Sequence, residues 1–523
     1  MCPECGASVA PPTGSAFVYG VGPVGYQYCA ACGERWRCIW QPPARRRRRW
    51  PRLLGILVAV TAIAAGAHWL LERESTSYPS RWDARLAPIA ARVEALRGLT
   101  FKHPVRVVYL SAPAFEKRLT TSPADLKKQR RQVDERGGLL RAAGLIGANV
   151  DLAGAVDTTH AAATLAFYDF NAKVVYVRGA GAFTVETRVT LAHELTHVLQ
   201  DEHFDLPKLE KRADNSQSGS ADALSALIEG DATRIQDRYL SEQSSADKQA
   251  YDLLSAKSAD QAAQRTQHVP AVVSTYFNAP YIFGPQVVRV LDSIGGHAAI
   301  NAALTGTTPS TRIYLDPTAV SDTPPIPKVP TLNAGEKKLP TFSSNDDGFD
   351  HFTLYLMLAA RLERPTALLA ADAYAAGSEV LYTRSGVACF RAAVDGVNIR
   401  SDAYLRSVLL RWTSSMPDAG IDSTNSPLVF HSCDPGRRAV TPNDAAISQA
   451  ISLAAGRDAV TAFLVSSRVP SRTAACVARL LVQQPDIRDG ILSGRAVASQ
   501  ADQQREGAVA ANACRQSALA GLP

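Results

Sequence analysis

The sequence predicts an α+β fold, dominated by helix and built around small β elements. Three observations predict it. Apolar residues recur at helical spacing through Leu86, Ile89, Ala90, Val93 and Leu96; two β-rich runs, Leu165 to Phe170 and Lys173 to Arg178, meet at Asn171-Ala172; and the chain beyond Asp231 is alanine-rich with helical periodicity. At 523 residues the chain holds two to four domains of roughly 150 residues. Hydrophobic residues at 46% and charged residues at 20% exclude both wholesale disorder and a many-span membrane protein.

The net charge of +7 is concentrated: Arg45 to Arg49 supply five positive charges in one run. Away from that run the excess is small, and no basic patch with interleaved aromatics accompanies it, so no nucleic-acid partner is expected. The run instead precedes Leu53 to Leu71, LLGILVAVTAIAAGAHWLL, which carries no Asp, Glu, Lys or Arg. At about 1.5 Å per residue these nineteen residues nearly span a bilayer core of about 30 Å. Positive residues stay on the cytoplasmic side. A single-pass plasma-membrane helix over 53–71 is therefore expected, with a cytoplasmic N-terminus and the large C-terminal part outside. Ala65-Gly66-Ala67 offers a small-residue cleavage site, but some fifty residues with their own cysteine motif come first, unlike the short basic start of a signal peptide.

Residues 1–40 contain Cys2-Pro-Glu-Cys5-Gly6 and Cys29-Ala-Ala-Cys32-Gly33. Each C-x-x-C-G knuckle offers two thiolates from a tight turn, and four thiolates suit tetrahedral zinc. The pattern resembles a zinc ribbon, which implies one structural Zn2+ on Cys2, Cys5, Cys29 and Cys32 and leaves Cys38 spare. The nine cysteines divide into five before residue 40 and four after residue 388, the division expected of two redox compartments.

The outer region then reads in order. Glu72 to Ser80 is a polar spacer. Arg81 to Leu99 is an amphipathic helix, Val105 to Leu110 a strand, and Lys127 to Arg141 a charged helix. The hairpin at Asn171-Ala172 is followed by a loop at Gly179 to Gly181. Thr184 is placed to cap a helix running through Glu202, with Glu186 in its first turn. A Ser/Asp/Lys-rich patch lies near Ser241 to Asp247. Further on come a proline-rich surface connection from Pro317 to Pro340, a β-rich piece from Glu379 to Val394, and short helices from Asn443 onward. Two parts follow from this: 81–295, and a mostly helical 296–523 with a small β element.

Within the predicted helix stands His193-Glu-Leu-Thr-His197, an HExxH motif. Residues four apart share a helix face, so both imidazoles reach one metal, and Glu194 reaches water bound there. Zinc lowers the pKa of such water towards about 7, and a carboxylate then takes its proton as the water attacks a peptide carbonyl. By residue frequencies the motif occurs in roughly one or two chains per hundred of this length, so context carries the weight. The context here is a capped helix, a hairpin immediately upstream and placement outside the cell. An edge strand of such a hairpin is where an extended peptide adds by β-pairing.

Two residues compete for the third ligand position. His193, His197 and His203 have the spacing of HExxHxxGxxH metzincins, but Gln200 occupies the position where glycine turns the chain sharply, and the methionines after it are Met357 and Met416, far downstream. Ala226-Leu-Ile-Glu229-Gly-Asp231-Ala232 places a carboxylate among apolar neighbours 32 residues after His197. A His₂Glu set leaves the fourth position open, as catalysis requires. HELTHVLQDEHF followed by ALIEGDA resembles bacterial gluzincin-like zinc metallopeptidases, over residues 160–290 and weakly beyond. That resemblance implies a zincin-like domain over 81–295, a catalytic Zn2+ held by His193, His197 and Glu229, Glu194 as general base, and a peptide or protein substrate. The alternative is a catalytically idle transmembrane zinc-binding sensor or scaffold; a scaffold has no use for Glu194.

Asp201 and Asp231 are the acids placed to orient the imidazoles. Tyr276, Tyr281 and His268 all follow the metal helices as candidates to steady an oxyanion, and the sequence does not choose among them. The four outer cysteines are expected to pair by proximity, Cys389 with Cys433 and Cys476 with Cys514, although four cysteines permit three connectivities.

Overall fold

The computed structural model describes the backbone of 15–18, 21–28 and 35–39, then 78–493 apart from 180, 182, 217, 218 and 340–347, and finally 507–514. The four ribbon cysteines and the apolar segment 53–71 lie outside the described residues. The chain forms two units, Met1–Arg52 and Leu53–Pro523. In the first, β1 (Ser15–Val18), β2 (Val21–Tyr28) and β3 (Arg35–Ile39) make an antiparallel sheet in the order β1-β2-β3. Among the described residues no helix is long and apolar enough to cross a membrane.

The second unit mixes helix and sheet, in keeping with an α+β fold. The helix expected from Arg81 starts later, as α1 (Ala87–Arg97), with Ile89, Ala90 and Val93 buried and Gly98 closing it in a left-handed conformation at φ +69°. Next come β4 (Arg106–Leu110), α2 (Ala112–Leu119), α3 (Pro123–Ala142) and α4 (Leu152–Ala163). The expected hairpin is β5 (Ala166–Asp169) with β6 (Val174–Arg178), paired antiparallel. Its turn is fixed by Asp169, whose Oδ1 accepts from the N–H groups of Asn171 and Ala172 at 3.0 and 2.9 Å. Because β4 joins β6 in parallel, the order is β4-β6-β5 and β5 is an edge.

Against this sheet lies α5 (Val185–Phe204), capped by Thr184, whose Oγ1 accepts from Thr187 N at 3.1 Å. Every residue from Leu191 to Gln200 is buried. A helix buried all round needs neighbours on several sides. Ile89 and Val93 of α1, Tyr168, Val175 and Val177 of the sheet, and Ile235 and Tyr239 of a later helix share one core with Val189, Leu195 and Val198 of α5.

The later helices are α6 (Leu206–Asp214), α7 (Ser220–Ser241), α8 (Ser245–Thr266) and α9 (Ala271–Thr305). Helix α9 holds Pro280 and Pro285 internally and breaks at Gly295–Gly296. Beyond the long connection, β7 (Glu336–Lys338), β8 (Tyr374–Arg384), β9 (Val387–Gly396), β10 (Ala419–Ser423) and β11 (Leu428–Cys433) form an antiparallel sheet in the order β10-β11-β9-β8-β7. It is larger than the β-rich piece expected over Glu379–Val394. Around it lie α10 (His351–Ala359), α11 (Arg364–Ala373), α12 (Ile399–Ser414), α13 (Asp444–Ser466), α14 (Ser471–Leu481) and α15 (Pro485–Ser493).

The parts expected on either side of Gly295 share one hydrophobic core: Leu224, Leu227, Phe283 and Val287 cluster with Tyr314, Phe352, Tyr355, Leu409 and Ile447. The break at Gly295–Gly296 is thus a kink within a packed body. Both expected disulfides are present, Cys389–Cys433 between directly opposed residues of β9 and β11, and Cys476–Cys514 between α14 and helix 507–514.

Candidate metal centre

His193 and His197 stand one turn apart in the middle of α5, 8% and 9% exposed, with ring centroids 4.7 Å apart. Helix α7 crosses α5 and brings Glu229 to both. Glu229 Oε2 lies 3.1 Å from His193 Nε2 and 3.3 Å from His197 Nε2. Two ligands of a tetrahedral zinc, each at about 2.0–2.1 Å, stand about 3.3 Å from one another, so the three atoms fit that ion's coordination edges. Among the described residues this is the one group of three or more His, Cys, Asp or Glu side chains close enough to hold a metal. Burial alone pushes the His197 imidazole down, but the Glu229 carboxylate more than offsets it and holds it up at about 9. Burial likewise disfavours ionised Glu229, and the two histidines reverse that, taking it far below the usual carboxylate range. The two shifts are the two halves of one ion pair, and they leave Glu229 a carboxylate facing both imidazoles, a donor set that could hold a metal ion.

Glu194, next along the helix, is 5% exposed. Burial raises its carboxyl; the two histidines and a hydrogen bond from the Tyr168 backbone N–H act against that rise. Tyr168 belongs to the edge strand β5. Arg178 N donates to Leu165 O at 2.9 Å, and antiparallel alternation then directs the N–H and C=O of Ala166 and Tyr168 away from β6. The hairpin thus lies beside the motif helix, with its free edge at Glu194.

His203 is elsewhere: its Nε2 is 2.8 Å from the carbonyl oxygen of Thr100. The acids expected to orient the imidazoles do not touch them. Asp201 accepts from the Tyr168 hydroxyl at 2.7 Å and pairs with Lys173, fastening α5 to the hairpin. The residue that reaches His197 is Gln200, whose Oε1 is 2.9 Å from His197 Nδ1. Its Nε2 donates to Ile228 O at 3.0 Å and to Asp231 Oδ2 at 3.1 Å, so Asp231 acts through Gln200. Sequence reading weighed Gln200 only for its backbone, although three-residue spacing places it on the His197 face.

Of the oxyanion candidates, Tyr281 of α9 is the one at the site, its ring 6.3 Å from that of His193. It stands beside the site with 43% of its surface exposed. Crowding by protein on its other sides raises its hydroxyl well above the usual range, with the carboxylates of Glu229 and Glu194 adding to the rise. Tyr276 is instead tied to Thr353 through its hydroxyl at 2.8 Å, and His268 is exposed. Compared with protein-family models, curated proteins and solved structures, the chain matches none.

Proposed function

We propose that the chain is a zinc-dependent peptidase, anchored by residues 53–71 and working on the extracytoplasmic side. The observation that carries this reading is the convergence of His193, His197 and Glu229 with Glu194 beside them and the edge of β5 alongside. The two disulfides support placement in an oxidising compartment.

His193, His197 and Glu229 would hold Zn2+, which supplies Lewis acidity towards water and carbonyl oxygen. The chain's own residues do the rest. The outward Ala166 N–H and C=O and the Tyr168 C=O of β5 align an extended peptide by strand addition, which holds its carbonyl beside Glu194. Glu194 accepts the proton of the attacking water on its carboxylate and returns it to the departing amine. The Tyr281 hydroxyl, kept protonated, donates to the oxygen on which negative charge develops. Gln200 holds His197 by Nδ1.

Metal content and casein hydrolysis of the purified full-length chain, set against Glu194→Gln, test the reading. Zinc at the site with hydrolysis abolished by Glu194→Gln is expected. Zinc without hydrolysis in the unaltered chain returns the protein to the sensor or scaffold reading.

A further inference from the structure

Behind His197 lies a run of polar groups that hydrolysis does not require to touch substrate. Arg97, the last residue of α1, and Asp231 are both fully buried, and Arg97 Nε donates to Asp231 Oδ2 at 2.6 Å. Arg97 Nη2 donates to Asn301 Oδ1 at 2.6 Å, and Arg234 Nη2 donates to Asp231 Oδ1 at 2.9 Å. A buried guanidinium is costly to desolvate, and apolar residues of like volume would pack as well. Its presence at the back of the metal site calls for a role beyond stability.

We propose that Arg97 is a positioning residue for His197, acting through Asp231 to anchor the Gln200 amide that keeps the His197 Nε2 towards the metal. This rests on the metal site proposed above. The argument is one of hydrogen-bond polarity. A carboxylate held by two guanidinium groups, which never lose their protons, has only acceptor oxygens. Gln200 must therefore turn its NH₂ towards Asp231, and the carbonyl of Ile228 takes the second N–H of the same NH₂. The amide oxygen is left facing His197 Nδ1. An oxygen that only accepts requires Nδ1 to carry hydrogen, which leaves the Nε2 lone pair for the metal. Without Arg97, Asp231 keeps a single guanidinium at one oxygen; the oxygen that faces Gln200 loses the partner that holds it in place, and the amide, its sense still set by the Ile228 carbonyl, is anchored at one point rather than two.

Zinc affinity of the full-length chain by chelator competition is the test, with the hydrogen-bonded Nδ1 proton of His197 followed by NMR in the zinc-loaded protein. Arg97→Met is expected to weaken zinc binding about tenfold and to broaden the Nδ1 proton, and Arg97→Lys, which keeps the charge, to recover most of the loss. Gln200→Leu is expected to weaken binding at least as much. The double variant Arg97→Met/Gln200→Leu should bind no worse than Gln200→Leu alone, because both act through one amide. Arg238→Met, which breaks the 2.7 Å pair with Asp292 on the same helix as Glu229, should leave zinc affinity unchanged. Additive losses in the double variant, or a folded Arg97→Met that holds zinc within threefold of the unaltered chain, overturn the proposal while leaving the peptidase reading intact. Should Arg97→Met not fold, Asp231→Asn replaces it, since an Asn amide can turn a donor towards Gln200. Undiminished zinc affinity in that variant is equally decisive against the role. A full-length chain that takes up no zinc at all overturns the peptidase reading and this proposal with it.

Discussion

Gly230 of α7 and Gly284 of α9 meet backbone to backbone: a Cβ on Gly230 would stand 2.3 Å from the Gly284 carbonyl oxygen, and one on Gly284 would stand 2.2 Å from that of Ala226. Neither glycine has a positive φ, so the requirement is room rather than conformational freedom. The contact draws together the two helices that carry Glu229 and Tyr281.

Gly230→Ala therefore tests how the site is held. In an exposed helix interior this change stabilises by about 1 kcal/mol, but here the methyl group must push two helices apart, at a cost of about 1–3 kcal/mol or more. A lowered midpoint in thermal unfolding is expected, together with weaker zinc binding because Glu229 is the adjacent residue. An unchanged or raised midpoint would show that the helices are not locked at this point.

Glu229 and His203 can be set against one another directly. Glu229→Gln is expected to weaken zinc binding by several orders of magnitude, and His203→Ala, at a residue bonded to Thr100 O, to leave it within a few-fold. The reverse ranking in equilibrium zinc titrations would restore the three-histidine site.

Tyr281→Phe removes only the hydroxyl. If that hydroxyl meets the developing oxyanion, kcat on a peptide substrate falls by about 10²–10³ while KM and zinc content stay near their original values. A fall in zinc content instead would make Tyr281 a support for Glu229.

The motif helix and the hairpin were legible because their signals are local: a cap at Thr184, a four-residue histidine spacing, and two β-rich runs around a short turn. Glu229 was legible for a related reason, a carboxylate set among buried alanine, leucine and isoleucine. Gln200 was not, and Tyr281 was legible only as one of three candidates. Gln200 looked decisive only for what its backbone cannot do, and its amide acquires meaning once α7 brings Ile228 and Asp231 beside it. Tyr281 reaches the site because α9 folds back over α7 at Gly230 and Gly284, a contact between residues 54 apart that periodicity does not encode. Asp201 failed as an imidazole partner because the hairpin claims it first. Helix α9 does break at Gly295–Gly296, but residues on both sides of the break pack into one core, a long-range contact that local sequence does not reveal.

Acid sensitivity should trace to buried imidazoles. Burial lowers His160, packed 4.9 Å from Phe277, to about 4, and His351 to about 3. Both folded values lie below the unfolded value near 6.5, so each contributes stability that is present above pH 6.5 and lost as pH falls towards its folded value. Glu210, raised by burial to about 7, has the opposite sign, so the effect is read from variants. Between pH 7.5 and 5.5 the unaltered chain should lose about 1 kcal/mol more than His160→Phe in urea unfolding. Equal losses would mean that His160 titrates normally in the fold.

Non-reducing peptide mapping should recover Cys389 linked to Cys433 and Cys476 linked to Cys514. Replacing Cys476 and Cys514 by serine frees the tether of helix 507–514, and proteolysis should then release the C-terminal segment while zinc binding persists. Free thiols at all four positions would count against the oxidising compartment as well as the pairing.

The shared core also sets an order of events during synthesis. Helix α9 buries one side against α7 and another against α13, where Val290 packs with Ala462 and Val465. Residues 444–466 leave the ribosome long after Glu229; at about 5–20 residues per second the interval is roughly ten to forty seconds. Through that time His193, His197 and Glu229 have already been made, but the helix that bears Tyr281 lacks its backing. On the reading proposed above, the site would be completed only when the last part of the chain arrives to back α9.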